Sequence, residues 1–169
     1  MNLVYVGKIV NTHGLKGELR ILSTFSFKDK IFKPGFLFYV DNDTFKLVSY
    51  RKHKNYDMVT FEGFNDINEV LFLKGKDIYF NRNDLSSDII LDSDLIDFKV
   101  KTTTGKVGIL SSIEEGVKYS YFVILIGNKK HYVPKVDEFI ENIDIKEKTI
   151  YIKEIEGLFD ENWYFNSFF

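Results

Sequence analysis

Short apolar runs separated by turn-forming residues recur along the first half of this chain. They span residues 3–10, 18–23, 36–40, 44–51 and 58–62. Segments 41–43 and 54–57, rich in Asn and Asp, stand between consecutive runs, and both residue types tolerate the backbone angles of tight turns. Five or more short strands at this spacing predict a small closed barrel or a sandwich.

Residue usage points in the same direction. Aromatic residues make up 17% of the 169 positions, with 17 Phe and 10 Tyr, and alanine is absent. Aromatic and β-branched side chains suit a pleated, half-buried surface, whereas alanine is the best helix former. Codon bias in an AT-rich genome gives the same skew, so composition supports a strand-rich fold without deciding it.

The second half repeats the strand pattern after a polar stretch at 81–88. Runs at 98–102, 107–113, 121–126, 131–133 and 149–153 read as strands, with turns at Thr104-Gly105 and Gly127-Asn128 and a helical turn near 137–141. The fold class expected is therefore all-β, with two small barrels and one or two short helices. We expect an N-terminal barrel at 1–82, a linker at 83–93 and a C-terminal barrel with an aromatic tail at 94–169.

One short helix is predicted in the N-terminal half, between the strand at 58–62 and a further strand at 77–80. Asp66 can cap its first turn, Glu69 follows three residues later as a capping-box partner, and Gly75 ends the segment. Its apolar stripe indicates a packing role.

Composition and charge exclude several functional classes. The chain has no cysteine, which rules out a disulfide, a thiolate metal site and a cysteine nucleophile. The first residues lack a signal-peptide pattern and no run approaches the roughly 20 apolar residues of a membrane span, so we expect a cytoplasmic protein without a membrane partner. The net charge of −2 gives no general attraction to nucleic acid, so any RNA contact must be local.

Catalytic motifs are not found. The three histidines have no spacing that places two on one helical face, and HExxH, GxGxxG, the Walker loop and GxSxG are all missing. Adjacent acidic residues are expected by chance in a chain with 25 of them. We therefore expect no catalytic residue, no cofactor and no metal.

The turn from His13 to Gly17 is the most informative segment. Gly14 and Gly17 allow backbone angles that other residues resist, which holds Leu15 and Lys16 at the tip between two strands. A plain barrel corner explains the same residues. The residues of the turn alone favour the barrel corner. Read together with the ordered motifs described below, the turn is expected to be braced by His13, with Leu15 and Lys16 in contact with a partner.

A basic cluster closes the fourth predicted strand. Arg51, Lys52, His53 and Lys54 are consecutive and could meet phosphate, and a solvated turn is an equally good interpretation.

The ordered motifs resemble the RimM family of bacterial ribosome maturation factors. The matching pieces run through nearly the whole chain apart from the aromatic tail. They are residues 7–9 (GKI), 13–19 (HGLKGEL), 51–54 (RKHK), 61–63 (FEG), 69–76, 94–96 (DLI), 105–108 (GKVG), 133–140, 144 and 156–158 (EGL).

The resemblance implies a six-stranded N-terminal barrel of the translation-factor type and a C-terminal PRC-type barrel. It also implies a non-catalytic protein that binds the head of the immature small ribosomal subunit. The sequence does not indicate the oligomeric state, and a monomer is the default expectation. The implied partner is the nineteenth ribosomal protein of that subunit, and binding to the immature subunit is implied to support ribosomal RNA processing. The residues expected to contact the partner or local ribosomal RNA are Leu15, Lys16, Arg51, Lys52, Lys54, Ile90 and Leu91.

The sequence departs from the family pattern at two places. Ile90 and Leu91 occupy the positions of a tyrosine pair associated with ribosome binding, so apolar burial is retained there without the phenolic hydroxyls. The loop at 115–120 also lacks the family's polar pair before the apolar strand.

Two other functions remain open at the level of sequence. A flavin- or ligand-carrying protein can use similar barrels, because fold does not determine function. A plain RNA-binding barrel would bind naked ribosomal RNA without a ribosomal protein.

Overall fold

A computed structural model of the chain describes residues 1–154. The chain forms two compact units, Met1–Ile89 and the remainder from Ile90 onward. The aromatic tail from Trp163, which we expect to pack onto a barrel, lies outside the described residues. No helix within residues 1–154 is long and apolar enough to cross a membrane.

The first unit is a closed barrel of six strands in the order β1-β2-β5-β4-β3-β6. The strands are β1 (Leu3–His13), β2 (Glu18–Leu22), β3 (Leu37–Val40), β4 (Asp43–His53), β5 (Tyr56–Phe61) and β6 (Asp77–Asn81). All neighbouring pairs are antiparallel, and β6 completes the barrel by pairing with both β1 and β3.

Alternation along these strands fills the barrel with large apolar side chains. In β2, Leu19 and Ile21 are fully buried while Glu18 and Arg20 between and beside them are half-buried. Successive residues of a strand point to opposite faces, so the apolar set shares the interior and the charged set shares the outer surface. Phe38, Phe61 and other aromatic rings complete this interior.

Two short helices connect the barrel strands. Helix α1 (Lys28–Ile31) lies between β2 and β3, and α2 (Ile67–Val70) lies between β5 and β6, continued by a 3-10 turn at Leu71–Leu73. Asp66 caps α2 as predicted, because its side chain accepts a hydrogen bond from the Asn68 amide. Glu69 does not form the expected capping box, since its carboxylate accepts from the amide of Asn65.

The second unit holds a six-stranded sheet in the order β10-β9-β8-β7-β12-β11. These strands are β7 (Lys99–Thr102), β8 (Val107–Glu115), β9 (Ser120–Ile126), β10 (Lys129–Pro134), β11 (Ile140–Asp144) and β12 (Thr149–Ile152). Only the β7 and β12 pair is parallel. Fully buried Val100, Leu110, Phe122 and Ile124 lie in the core of this unit.

The all-β prediction with few short helices is confirmed, and the differences are local. Strand β11 begins within the segment where a helical turn is predicted, because a tight turn at 136–139 is followed directly by pairing with β12. Helix α1 was not anticipated from the sequence: it has four residues and no capping side chain.

Candidate partner-binding surface of the first unit

The turn between β1 and β2 is held against the start of α2. The amide of Ile67 donates a 2.9 Å hydrogen bond to the carbonyl of Leu15. Gly14 and Gly17 both have positive φ, +69° and +88°, which glycine adopts without strain. A Cβ on Gly17 would lie 2.7 Å from the carbonyl oxygen of Phe64, so only glycine fits there.

The fixed turn presents one large apolar side chain to solvent. Leu15 is 75% exposed, and Lys16 beside it is also exposed. Among residues 1–154, no carboxylate lies within ion-pair distance of Lys16. The turn tip therefore offers an apolar group and an unpaired cation in a defined position.

Arg51 is engaged within the barrel rather than free. Its guanidinium donates two hydrogen bonds to the Glu18 carboxylate, at 2.7 and 3.0 Å. Strand β5 lies between β4 and β2, and Met58 pairs in register with both Arg51 and Arg20. Met58 is nevertheless fully buried. The ion pair therefore connects β4 to β2 across β5.

The basic cluster at the end of β4 is divided between two faces of the strand. Lys52 pairs in register with Asp57, whose side chain is fully buried, and the Lys52 amine lies 3.6 Å from its Oδ1. The Lys28 amine lies 2.8 Å from Oδ2, and the Tyr50 hydroxyl donates to Oδ1 at 2.7 Å. Lys52 thus belongs to the environment of a buried carboxylate, opposite the face that carries Arg51.

His13 contacts Arg20 of β2, and its bracing of the glycine turn stays a prediction. Its Nδ1 accepts from Nε and Nη2 of Arg20, at 3.2 and 2.7 Å, because a guanidinium can only donate. The ring centroid of His13 lies 5.7 Å from that of His53. His13 therefore links the end of β1 to β2 and to the end of β4.

Electrostatic shifts follow from these contacts. Hydrogen bonding from Arg51 lowers the pKa of Glu18. Desolvation lowers the pKa of His53, and the nearby charges of Arg51 and Lys54 lower it further. Burial raises the pKa of Tyr50 well above its usual value, and its hydrogen bond to Asp57 acts in the same direction.

Of the two candidates in the second unit, only one is accessible. Ile90 is 43% exposed, whereas Leu91 is 4% exposed. Leu91 precedes a 3-10 helix at Asp92–Leu95, and its amide donates to the Asp94 carboxylate at 2.8 Å. The expectation that Leu91 contacts a partner is corrected, because its side chain is buried.

Arg20 and Tyr56 were missed from the sequence and lie among the predicted residues. The Arg20 guanidinium is 5.7 Å from the centre of the Tyr56 ring, and Tyr56 pairs in register with His53. Glu18 and Arg20 have the two-residue spacing that places side chains on one face of a strand, which was the available signal. No group of three or more metal-ligating side chains occurs within residues 1–154.

Comparison with known sequences matches both units. The sequence model of the RimM N-terminal domain matches residues 4–85, and that of the RimM PRC barrel domain matches residues 92–158. The second match identifies the six-stranded sheet of the second unit as part of a PRC-type barrel domain.

Two curated full-length relatives agree with the domain matches. Two proteins named ribosome maturation factor RimM, from Staphylococcus aureus strains NCTC 8325 / PS 47 and JH9, are 37% and 36% identical over 171 aligned residues. Each alignment covers 93% of this chain and 99% of the relative. A crystal structure assigned as a 16S ribosomal RNA processing protein RimM from Pseudomonas aeruginosa covers 92% of this chain and 99% of its own, at 20% identity and a TM-score of 0.46. Because both domain matches and the curated relatives span nearly the whole sequence, this chain belongs to the RimM family, whose curated members are named ribosome maturation factors.

Proposed function

We propose that this chain is a cytoplasmic, non-catalytic ribosome maturation factor that acts as a monomer. It binds the head of the immature small ribosomal subunit through the nineteenth ribosomal protein of that subunit, and it supports ribosomal RNA processing. Membership of the RimM family and the name of the curated relatives support the general role. The contact itself is argued from the surface of the first unit.

The observation that carries the contact is the exposure of Leu15 on a fixed turn. A leucine that is 75% exposed gives up water-accessible apolar area when a partner covers it. Its backbone is already ordered by the hydrogen bond from Ile67, so binding orders little additional chain. Leu15 on its preorganised turn can therefore bury apolar area in an interface at a low cost in chain ordering.

The cationic residues contribute in different ways. Lys16 and Lys54 are exposed, and neither is within ion-pair distance of a carboxylate in the described part of the chain. They are available to a partner of negative charge. Arg51 and Lys52 chiefly make contacts within the first unit, Arg51 with Glu18 on the outer surface of the barrel and Lys52 with the buried Asp57.

A pull-down with a matched pair of double variants tests this proposal. Leu15→Ala with Lys16→Ala removes the turn tip, and Val48→Ala with Lys46→Ala removes an exposed apolar and a basic side chain from β4. The wild type is expected to recover precursor small subunits from cell lysate and to bind the purified nineteenth ribosomal protein. The turn variant should lose at least about tenfold in affinity, because one or two interface anchors dominate such contacts.

Two results of the pull-down would contradict different parts of the proposal. Recovery of mature ribosomes only, or of nothing, by the wild type would refute the function. Equal binding by the two double variants would refute the role of the turn while leaving the function intact.

A further inference from the structure

A small cleft opens on the outer face of the first unit, beside the β4–β5 hairpin. It has a volume of about 390 Å³ and is lined by Arg20, His53, Lys54, Asn55 and Tyr56. Ligand pockets in proteins commonly hold about 300 to 1,000 Å³. Four of the five lining residues are consecutive, and Arg20 reaches the cleft from β2, on the far side of β5.

The cleft carries an excess of positive charge. Among residues 1–154, neither Arg20 nor Lys54 lies within ion-pair distance of a carboxylate. The nearby Glu18 carboxylate already accepts both hydrogen bonds of Arg51. Desolvation is the largest cause that lowers the pKa of His53. Four neighbouring basic side chains lower this pKa further, which is the effect expected in a positive local field.

Flat ring surfaces lie beside these charges. Tyr56 is half-buried and holds its ring 5.7 Å from the Arg20 guanidinium. His53 presents an imidazole, and the exposed Asn55 carries both a hydrogen-bond donor and an acceptor. Aromatic side chains next to cations that have no carboxylate partner are the usual means of holding single-stranded nucleic acid, because bases stack on the rings and phosphates meet the cations.

We propose that this cleft binds a nucleotide of single-stranded ribosomal RNA, with Tyr56 stacking on the base and Arg20 and Lys54 facing the phosphate. The inference rests on the proposed function, since the immature subunit supplies the RNA. It adds a contact that is distinct from the turn at Leu15 and that does not require a ribosomal protein.

Binding of a fluorescein-labelled octauridine to the full chain tests the proposal. Tyr56→Ala is expected to weaken binding about 5- to 100-fold, because one stacked base is lost. Lys54→Ala should lower the slope of log affinity against log salt by about 0.7, the contribution of one phosphate on a single strand. Tyr56→Phe keeps the ring and is expected to bind like the wild type.

Lys46→Ala is the matched control. It removes a lysine charge from the neighbouring strand β4, outside the cleft lining, and is expected to leave the affinity and the salt slope unchanged. Lys54 is an exposed turn residue, so its variant keeps the test valid if Tyr56→Ala fails to fold.

Two results would overturn the nucleotide assignment. One is that Tyr56→Ala and Lys54→Ala bind octauridine as tightly as Lys46→Ala does. The other is that an octaglutamate peptide competes as well as unlabelled octauridine, which would indicate a site for an acidic protein segment.

Failure here is distinguishable from failure of the proposed function. If wild type recovers precursor subunits but the cleft variants bind octauridine normally, only the cleft assignment is wrong. If wild type recovers no precursor subunits, the ribosomal function is wrong whatever the affinity for octauridine.

Discussion

Gly17 provides the sharpest test of how the turn is built, because Gly14 is a control in the same turn. Both have φ values in the left-handed region, +88° and +69°. A Cβ on Gly17 would lie 2.7 Å from the Phe64 carbonyl oxygen and 3.2 Å from its carbon, both backbone atoms. A Cβ on Gly14 would meet no atom within 4 Å. Gly14→Ala therefore isolates the backbone cost, and Gly17→Ala adds a steric one.

The expected magnitudes follow from these two contributions. Placing an alanine in the left-handed region costs about 1 to 2 kcal/mol, and the lower entropy of the unfolded chain offsets about 0.4 to 1 kcal/mol of that. Gly14→Ala should therefore lower the free energy of unfolding by about 1 kcal/mol. Displacing the Phe64 backbone adds a further cost of about 1 to 3 kcal/mol, as overpacking does elsewhere. Gly17→Ala should therefore cost about 2 to 4 kcal/mol.

Urea unfolding followed by amide NMR is the suitable assay, because it reports the first unit separately from the second. Signals from β1, β2 and β5 give the unfolding free energy of the barrel, and signals from β8 and β9 serve as an internal reference. If the two variants lose the same stability within about 0.5 kcal/mol, the close approach to Phe64 does not constrain the turn and the reasoning is refuted.

Two further predictions concern charged groups of the first unit. Asp57→Asn should lower the unfolding free energy by about 3 kcal/mol, because it leaves the half-buried Lys28 without its anion. Asp77→Asn, at an exposed pair, should lower it by less than about 1 kcal/mol. Equal urea midpoints for the two variants would contradict this prediction. The second is a pH dependence. Arg51 holds the pKa of Glu18 below its ordinary 4.5, so the stability from this pair is present above about pH 4.5 and is lost as the pH falls further. The stability gap between wild type and Arg51→Ala should narrow between about pH 6 and about pH 3, and a gap of constant size would disprove the coupling.

Most of the fold was predictable because strands have recognisable patterns in the local sequence. The alternation of charged and apolar residues in β2 and the Asn and Asp residues of the turn before β4 can both be read from the sequence, and the structure has strands at both places. Strand β11 was not predictable in the same way, because Ile140–Asp144 contains more polar than apolar residues and no residue of it is fully buried. Its conformation depends on the neighbouring β12, which lies close by only after folding.

The candidate site was predictable only in part, because its contacts cross strands that are distant in sequence. Arg51 and Glu18 are 33 positions apart, and their ion pair requires β5 to lie between β4 and β2. Local sequence gives no measure of that strand order. In the sequence, the four consecutive basic residues also suggest a single surface. Successive residues of a strand point to opposite faces, however, so Lys52 and Arg51 lie on different faces of β4.

The position of β6 in the first unit has a consequence for how the protein is made. Residues 77–81 pair with β1 at the beginning of the chain and with β3 near the middle of the first unit, so they complete the barrel last in order of synthesis. Until they emerge from the translating ribosome, β1 and β3 each have an unpaired edge that can associate with other chains. The interval between synthesis of β3 and synthesis of β6, roughly 40 residues, is therefore the period in which the nascent barrel is most exposed to aggregation and to chaperones.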